Sequence, residues 1–304
     1  MTLKLLSTIL GTALFAVGAL TGSFCLREPA ADCEDLSAPA PSALRAAIDK
    51  KSKPEPEAEP NSCTVCGETG VFTTFNKRAH ASCPACSSKE RHRLLIHYIE
   101  NETTILKDKL DVLQFSPQDG EAAFFRKHKN LNYKASEYDP GMGDIQLDIT
   151  KINQPDNSWD LIIVYHILEH IVEDHKAMAE LFRIVRPGGQ VILQVPIETG
   201  RTQLYEDASI VDDAGRTKAF GQRDHVRRYS AQGLKERLEK AGFVVEAVDY
   251  LAKLDKAVIT KYGLSGKFKP PLEEHIWIAR KPAPTPASTP TPTPTPTPAP
   301  KKKP

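Results

Sequence analysis

The stretch DVLQFSPQDG, residues 111–120, holds the first decision about the fold. Its apolar first half predicts a buried strand, and Ser116–Gly120 predicts a turn because it combines serine, proline, aspartate and glycine. In nucleotide-binding α/β domains the turn between the first strand and the first helix is usually rich in glycine. Gly120 is the single glycine of this stretch. The stretch is therefore either a cofactor loop of unusual composition or an ordinary strand end.

Short apolar runs alternate with amphipathic segments from Leu110 onward. Helices are predicted over 173–185 and 230–241, each followed by the glycine or proline that ends helices. The alternation predicts an α/β fold with a doubly wound, mainly parallel, seven-stranded sheet, and ligands bind such sheets beyond the carboxyl ends of the strands. The predicted strands are LDVLQF (110–115), LNYKAS (131–136), DIQLDI (144–149), WDLIIVY (159–165), GQVILQVPI (189–197), FVVEAVDY (243–250) and EHIWIAR (274–280).

Four of the six cysteines form two pairs, Cys63-x2-Cys66 and Cys83-x2-Cys86, with sixteen residues between the pairs. Two-residue spacing lets both thiolates of a turn bind one ion, and two such turns complete a tetrahedral Zn²⁺ site. Four thiolates leave no coordination position for water, so this zinc would be structural. The alternative is a pair of disulfides, which an oxidising compartment would favour.

The segment after the second cysteine pair, SSKERHRLLIHYIE (87–100), predicts a helix with Ser88 as its N-cap. Arg91, His92 and Arg93 form a basic cluster near its start. We expect this cluster to dock the cysteine-rich segment, a predicted zinc ribbon at residues 62–88, onto the next domain rather than to bind nucleic acid. The formal net charge of +1 gives no strong nucleic-acid signal for the chain as a whole.

The two ends of the chain have compositions unlike those of a globular domain. Leu5–Leu26 is an uncharged run of 22 residues. At ~1.5 Å per residue it can span a hydrocarbon core of ~30 Å, and a cleaved signal peptide is the alternative. Residues 37–61, rich in alanine, proline and charge, predict a tether. Residues 282–304 hold ten of the 24 prolines and predict an extended tail.

Several motifs, taken in order, resemble those of class I S-adenosylmethionine-dependent methyltransferases. The resemblance covers about residues 62–281. A methyltransferase type 11-like bacterial branch of that superfamily also carries a ribbon similar to CPACSSKERHR (83–93). The other similar motifs are DVLQFSPQDG (111–120), LNYKASEYDP (131–140), DIQLDITKINQPDNSWDLIIVYHILEHI (144–171), ELFRIVRPGGQVILQVPI (180–197), TQLYEDASI (202–210) and FGQRDHVRRYSAQGLKERLEKAGF (220–243).

The resemblance implies that the glycine-poor turn binds the methionine end of S-adenosylmethionine. Phe115, Ser116, Gln118 and Gly120 would pass under that end of the cofactor. The cofactor carries no phosphate, so side chains such as Ser116 can replace the glycines that a diphosphate needs. This answers the opening question in favour of a cofactor loop of unusual composition.

Residues at the ends of the next strands complete the implied site. Glu137 would accept hydrogen bonds from both ribose hydroxyls, a task that suits a carboxylate. Asp148 would meet the adenine amine, with Ile149 beside the ring. Tyr165 and His166 would face the transferred methyl group.

Methyl transfer demands alignment and exclusion of water, and it needs a base only when the acceptor atom carries a proton. His166 and His225 are the candidate bases, and a structural histidine is the alternative at each. Arg227 or Arg228 could hold an anionic acceptor. HILEH (166–170) also fits the H-x-x-E-H pattern of one group of zinc proteases, but it follows a predicted strand, which favours a structural junction.

The predicted organisation is a transmembrane anchor or signal at 1–30, a disordered linker at 31–61, a zinc ribbon at 62–88, a class I methyltransferase domain at 89–281 and a Pro/Thr-rich disordered tail at 282–304. The expected function is methyl transfer to a small molecule, a saccharide or a lipid-linked glycan. A non-enzymatic ribbon adaptor with a decayed cofactor site is the alternative. Since S-adenosylmethionine and reduced thiols are cytosolic, we expect a membrane-anchored protein with its catalytic domain in the cytoplasm, with export as the alternative.

Overall fold

The computed structural model describes residues 59–266, 272–273 and 275–284. The apolar run Leu5–Leu26, the tether up to residue 58 and the tail beyond residue 284 lie outside this description. Within the described ranges, no helix has the length and apolar character needed to cross a membrane. On this finding we correct the prediction of a membrane-anchored protein, and we do not retain the cytoplasmic placement that was inferred with it.

The cysteine-rich segment folds into two small antiparallel hairpins. Each cysteine pair lies in a turn that contains a residue in the left-handed conformation, Gly67 (φ 83°) or Ser87 (φ 59°). The Gly67 N–H donates to the Cys63 carbonyl at 2.8 Å, and the Ser87 N–H donates to the Cys83 carbonyl at 2.9 Å. The hairpin strands are β1 (Asn61–Ser62), β2 (Thr69–Gly70), β3 (Thr73–Phe75) and β4 (Arg78–Ser82).

A seven-stranded sheet forms the centre of the following domain. Its strands are β5 (Leu110–Phe115), β6 (Leu131–Glu137), β7 (Ile145–Gln146), β8 (Trp159–Tyr165), β9 (Val185–Gln194), β13 (Val244–Val248) and β15 (Ile276–Arg280). Their order across the sheet is β7–β6–β5–β8–β9–β15–β13, and β15 runs antiparallel to both of its neighbours. The prediction of a doubly wound, mainly parallel sheet is therefore confirmed, and the order reverses at β5, the strand that precedes Ser116.

Six α-helices and four short strands surround the sheet. The helices are α1 (Glu90–Glu102), α2 (Asp119–Arg126), α3 (Asp174–Ile184), α4 (Asp213–Phe220), α5 (Ala231–Lys240) and α6 (Lys256–Tyr262). The short strands are β10 (Ile197–Glu198), β11 (Tyr205–Glu206), β12 (Arg227–Arg228) and β14 (Leu272–Glu273). These counts refer to the ranges that the structure describes.

The central strand β8 supplies a core to each face of the sheet because its side chains alternate. Leu161 and Ile163 belong to the core that α1 and α2 cover. Ile162 and Val164 belong to the opposite core, which α3 and α5 cover. Burial of one such side chain contributes roughly 1.5–3 kcal/mol, so a strand buried on both faces reads as a continuous apolar run.

One boundary differs from the prediction in a way that reflects close packing. Strand β9 begins at Val185, before the sequence RPGG, whereas the prediction placed a turn there and the strand after it. At Gly189 an added Cβ would lie 2.7 Å from the Asp160 carbonyl oxygen, so only glycine allows the two strands to approach this closely. The pairing of β8 with β9 shifts register at this point.

Arg93 fastens the ribbon to the sheet domain, as expected for the basic cluster at residues 91–93. Its side chain is fully buried. Nη1 donates to the Ala81 and Ser88 carbonyls at 3.1 and 2.6 Å, and Nη2 donates to the Gly263 carbonyl at 2.6 Å. A buried guanidinium is tolerated here because its donors are hydrogen-bonded.

Candidate cofactor site and metal centre

Two neighbouring parallel strands each end at a residue in the left-handed backbone conformation, which residues other than glycine rarely adopt. Ser116 follows β5 with φ 43°, and His166 follows β8 with φ 54°. The left-handed conformation costs a residue other than glycine roughly 1–2 kcal/mol. Such strain concentrates at functional sites, where the surrounding structure holds it in place. The carboxyl edge of β5 and β8 is therefore the first place to look for a site.

Glu137, at the end of β6, lies beside the strained residue that ends β5. The Ser116 hydroxyl donates to Glu137 Oε2 at 2.8 Å, and the Ser116 N–H donates to the Ser136 carbonyl at 2.8 Å. Glu137 is half-buried, which leaves its carboxylate accessible to a ligand. Gly143 packs against this strand end, since an added Cβ would lie 3.0 Å from the Ala135 carbonyl oxygen.

Asp148 and Ile149 lie beyond β7, which is shorter than the predicted strand DIQLDI. The chain turns at Asp148, whose Oδ1 accepts from the Thr150 N–H at 2.8 Å and from its hydroxyl at 2.7 Å. Asp148 is exposed and Ile149 is buried. The Leu147 N–H donates to the Glu137 carbonyl at 2.9 Å, so the structure brings this loop to the end of β6.

The turn itself has a second neighbour, the ribbon. An added Cβ at Gly120 would lie 2.9 Å from Cys86 Cβ, so glycine is needed for α2 to pack against the second cysteine pair. Gln118 is exposed and precedes α2, and its N–H donates to Glu121 Oε2 at 3.1 Å. The single glycine of the stretch thus has a packing reason that is independent of any cofactor.

A buried polar cluster lies under this edge, and most of it escaped the sequence analysis. Burial raises the pKa of Glu121 to about 7. Gln114 Nε2 donates to Glu121 Oε1 at 3.2 Å. Nearby, Arg91 Nε and the Tyr165 hydroxyl are buried without a hydrogen-bond partner among the described residues. Unpaired buried polar atoms are costly, and a bound ligand is one way to satisfy them. The sequence signal was Arg91, which was assigned only to docking.

The two candidate bases occupy different environments. His166 is half-exposed at the strand end, with Nε2 3.3 Å from Gln194 Oε1 and Nδ1 3.0 Å from Glu169 Oε1. His225 is buried, and burial lowers its pKa. Burial raises the pKa of Glu169, but the imidazoles of His166 and His170 outweigh it, so the pKa is lowered overall. The structure therefore brings His166 to the carboxyl edge and encloses His225.

Arg227 and Arg228 have structural partners, in contrast to the role suggested for them. Arg227 is buried, and its guanidinium donates to the carbonyls of Leu168, Ile171 and Val172. Arg228 Nε donates to the Ala219 carbonyl at 2.7 Å, and its Nη1 donates to a glutamate at 3.1 Å. We therefore do not assign either arginine to an anionic acceptor.

The four cysteines converge on one point. The Sγ atoms of Cys63 and Cys86 are 3.6 Å apart, those of Cys66 and Cys83 are 3.8 Å apart, and all four lie within 4.8 Å of one another. A tetrahedral Zn²⁺ with bonds of about 2.3 Å requires sulfur–sulfur distances of about 3.8 Å. A disulfide would require about 2.05 Å, so these four thiols are free.

Ser88 belongs to this centre rather than to the helix N-terminus. Its hydroxyl lies 3.1 Å from Cys63 Sγ and 3.2 Å from Cys86 Sγ, whereas Lys89 is the residue that precedes α1. A hydroxyl that contacts thiolate ligands fits the outer shell of a metal centre. The chemistry of the donor set suits zinc, although the metal itself remains a prediction.

A groove of about 730 Å³ lies at the opposite, amino edge of the sheet, and we do not assign it to the cofactor, for a chemical reason. Asp160 and Arg186 line it, and they pair with each other at 2.6 Å. Arg186 also pairs with Asp111 at 2.8 Å. Asp160 and Arg186 of this groove therefore satisfy one another, in contrast to the unpaired atoms at the carboxyl edge.

Comparison with known proteins agrees with this geometry. A family model described as a methyltransferase domain matches residues 87–248, more than half of the chain. A "Probable S-adenosylmethionine-dependent methyltransferase" of Mycolicibacterium smegmatis is 29% identical over 99 residues, which cover 33% of this chain and 34% of that protein. The ubiquinone/menaquinone biosynthesis C-methyltransferase UbiE of Salmonella paratyphi B is 27% identical over 120 residues, 35% of this chain and 46% of that protein. The chain thus spans less than half the length of these relatives.

Solved structures are similar at a lower level. A phosphoethanolamine N-methyltransferase 2 of Haemonchus contortus, in complex with S-adenosylmethionine, has a TM-score of 0.39 and 15% identity over 58% of this chain and 49% of that chain. An S-adenosylmethionine-dependent methyltransferase of Mesorhizobium loti has a TM-score of 0.38 and 14% identity over 59% of this chain and 97% of that chain. At these scores they carry no argument about substrate, and the fold rests on the strand order described above.

Proposed function

The chain belongs to the methyltransferase-domain family, and we propose from this premise that it transfers a methyl group from S-adenosylmethionine to a polar small molecule or a saccharide. One observation carries the proposal. Glu137, at the end of β6, accepts a hydrogen bond from the hydroxyl of Ser116, which follows β5. A half-buried carboxylate at that position can accept hydrogen bonds from two adjacent ribose hydroxyls.

The buried polar cluster supports the same assignment because its unpaired atoms fit the methionine end of the cofactor. Arg91 carries a positive charge and has its Nε unpaired, which suits a carboxylate. The Tyr165 hydroxyl is unpaired as well and can donate to the same group. Bound S-adenosylmethionine would supply an electrophilic methyl group on its sulfonium.

The contribution of the protein would be alignment and exclusion of water. Phe115 and Tyr165 are buried at adjacent strand ends and can wall the site with apolar surface. His166 is the candidate base, since its ring is accessible and its Nδ1 lies 3.0 Å from the Glu169 carboxylate. His225 is enclosed, so we assign it no role as a base.

Equilibrium binding of S-adenosylmethionine to the purified full chain tests the proposal. We expect saturable binding by the wild type, and Glu137→Ala should weaken it tenfold or more, because a charged hydrogen-bond acceptor contributes about 1.5–3 kcal/mol. Glu102→Ala is the matched control, since Glu102 is exposed at the opposite edge of the sheet.

The alternative, a ribbon adaptor without a working cofactor site, predicts a different outcome. An adaptor would show no saturable binding up to millimolar S-adenosylmethionine, and Glu137→Ala would change nothing. Release of S-adenosylhomocysteine on addition of a small-molecule cell extract, but not in the Glu137→Ala variant, would exclude the adaptor. Binding that Glu137→Ala leaves intact would contradict the assignment of the ribose carboxylate.

A further inference from the structure

A second set of metal-binding side chains lies near the carboxyl edge, and the function proposed above does not use it as a set. Glu169, His170 and His225 each present a ligand atom, and these atoms lie within 4.8 Å of one another. We propose that the three residues bind a divalent transition-metal ion, and that this ion binds oxygen atoms of the methyl acceptor. The second half of this inference rests on the proposed function.

Glu169 is the side chain that points to a missing partner. It is 1% exposed, and neither of its carboxylate oxygens has a hydrogen-bond partner among the described residues. The His166 ring lies 3.0 Å away but without the geometry of a hydrogen bond. The nearby imidazole favours the charged form, but a buried carboxylate without a hydrogen bond is still costly, and metal coordination is one way to satisfy it. A cation between Glu169 and the two imidazoles would satisfy it.

The ligand types select the class of metal. Two imidazoles and one carboxylate suit zinc and other first-row transition metals, whereas Mg²⁺ and Ca²⁺ prefer oxygen ligands. Three protein ligands leave coordination positions open, as in catalytic zinc sites. Those positions could take one or two oxygen atoms of an acceptor such as a hydroxy acid or a saccharide diol. This distinguishes the cluster from the closed shell of the four cysteines.

The surrounding structure holds the three residues in place. The Val226 N–H donates to the Glu169 carbonyl at 2.9 Å, which aligns the segment of His225 with the segment of His170. Arg227 reinforces this contact through the carbonyls of residues 168, 171 and 172. His170 Nδ1 lies 3.3 Å from the Asp224 carbonyl oxygen.

Such contacts are the usual outer shell of metal-binding histidines, because they fix the tautomer and the orientation of the ring. The rings of His170 and His225 are nearly perpendicular at 86°, with centroids 4.7 Å apart. Bonds of about 2.0–2.1 Å would require ligand atoms roughly 3–3.5 Å apart, so we expect a small inward movement when the ion binds. Rotation of the half-exposed His170 can supply it.

This grouping differs from the zinc-protease pattern that the sequence HILEH (166–170) suggested. In that pattern His166 and His170 would be the ligands and Glu169 the base. Here Glu169 joins His170 and a distant histidine, while His166 Nε2 faces Gln194 at 3.3 Å. The third ligand, His225, comes from a segment that is distant in the sequence, and the sequence analysis did not identify it as a ligand.

Metal content of the full chain tests the inference. Protein is incubated with four equivalents of Zn²⁺, passed through gel filtration and analysed for zinc by mass spectrometry. We expect two zinc ions in the wild type and one in Glu169→Gln, which keeps the shape of the side chain. His170→Asn, at a half-exposed position, should also retain one. The matched control is His175→Asn, on the exposed side of α3, which should retain two.

Cys83→Ser/Cys86→Ser identifies which ion is lost, since it should remove the other equivalent. The inference is overturned if the wild type retains one zinc, or if Glu169→Gln and His170→Asn both retain two. S-adenosylmethionine binding is measured on the same samples, and His170→Asn should leave it within threefold of the wild type. Normal cofactor binding with one zinc defeats this inference alone. Two zinc ions without cofactor binding defeat the proposed function and leave the metal site standing.

Discussion

The cysteine centre and the Glu169–His170–His225 cluster differ in how the chain assembles them. In the cysteine centre each pair is formed by a single turn, so the spacing in the sequence was enough to predict it. In the second cluster His225 comes from a segment after α4, and tertiary contacts such as that of the Val226 N–H with the Glu169 carbonyl bring it to His170. Local ligand spacing can be read from a sequence, whereas a site built by tertiary contact cannot.

The two centres also differ in what they leave open. Four thiolates would close a tetrahedral shell around Zn²⁺, so the first centre is predicted to be structural. The second offers three ligands, one of which is a buried carboxylate without a hydrogen bond among the described residues. The following experiments test whether the first centre supports the fold and whether the second serves the site alone.

The largest effect is expected from loss of the cysteine centre. Cys63→Ser/Cys66→Ser should abolish zinc binding there and lower the free energy of unfolding strongly, because structural zinc contributes on the order of 10 kcal/mol of binding free energy to the folded state. Urea denaturation and zinc analysis measure both. Cys33→Ser, outside the two pairs, is the control, and Glu169→Gln should be far milder. Equal destabilisation by Glu169→Gln would erase the contrast between the two centres.

The second-largest effect on the free energy of unfolding is expected at Glu121, a buried carboxyl in α2. Its pKa is raised to about 7 in the folded state, against an ordinary value of 4.5. Between these pH values the folded protein keeps a proton that the unfolded chain loses, so this group's contribution to stability falls as pH rises. The contribution is fully present below pH 4.5 and falls by about 3 kcal/mol at most, since one pKa unit is about 1.36 kcal/mol.

Glu121→Gln removes this pH dependence. Urea denaturation of both proteins from pH 4.5 to 8 should show the wild type losing stability relative to the variant as pH rises. Parallel curves would mean that Glu121 titrates normally. The result also bears on the buried cluster, since a carboxyl that is neutral at low pH removes one of the negative charges near Arg91.

A smaller effect is expected at the contact between the ribbon and the opening turn. Gly120→Ala places a methyl group where Cys86 Cβ lies only 2.9 Å away. Overpacking of this kind lowers the free energy of unfolding by about 1–3 kcal/mol, and the displaced turn that contains Cys86 should bind zinc less tightly. Gly70→Ala is the matched control because nothing lies within 4 Å of its added Cβ. Denaturation midpoints and zinc competition with a chelator measure the difference, and equal behaviour of the two variants would contradict the contact.

The smallest effect is expected at the strained strand end. Ser116→Gly relieves the left-handed conformation at φ 43° and should change the free energy of unfolding by less than about 1 kcal/mol, because the added freedom of the unfolded chain offsets the relief. Binding of S-adenosylmethionine should nevertheless weaken, since Glu137 loses the Ser116 hydroxyl. Ser116→Ala separates the two contributions by removing the hydroxyl alone. An unchanged affinity in both variants would show that this hydroxyl does not orient Glu137.

The fold was largely readable from the sequence because buried parallel strands appear as continuous apolar runs. WDLIIVY was predicted over 159–165, and β8 covers the same residues. The weaker prediction was DIQLDI, where pairing extends only over Ile145–Gln146 because Asp148 forms a turn with Thr150. The membrane anchor was inferred from composition alone, and no helix of the described structure supports it.

The candidate site was readable only in part. Ser116 and Glu137 could be placed because each follows a strand, and the fold brings them within 2.8 Å. Arg91, Glu121 and Glu169 could not, since their meeting depends on how α1 and α2 pack over β5 and β8. Arg227 was misread for a related reason. A sequence shows that an arginine is present, but it does not show whether backbone carbonyls already occupy its donors.

The hydrogen bonds of Arg93 have a consequence for the order in which parts of the protein can pack during synthesis. A ribosome releases the ribbon and α1 long before Gly263, whose carbonyl lies 170 positions further on and accepts from Arg93 Nη2 at 2.6 Å. Until that segment emerges, Nε and Nη2 of Arg93 lack the Gly263 carbonyl as an acceptor, and the contact between the ribbon and this segment cannot form. The ribbon therefore gains this contact only late in synthesis. A chain truncated before residue 263 would lack the contact, and its ribbon would be held less firmly on the sheet domain.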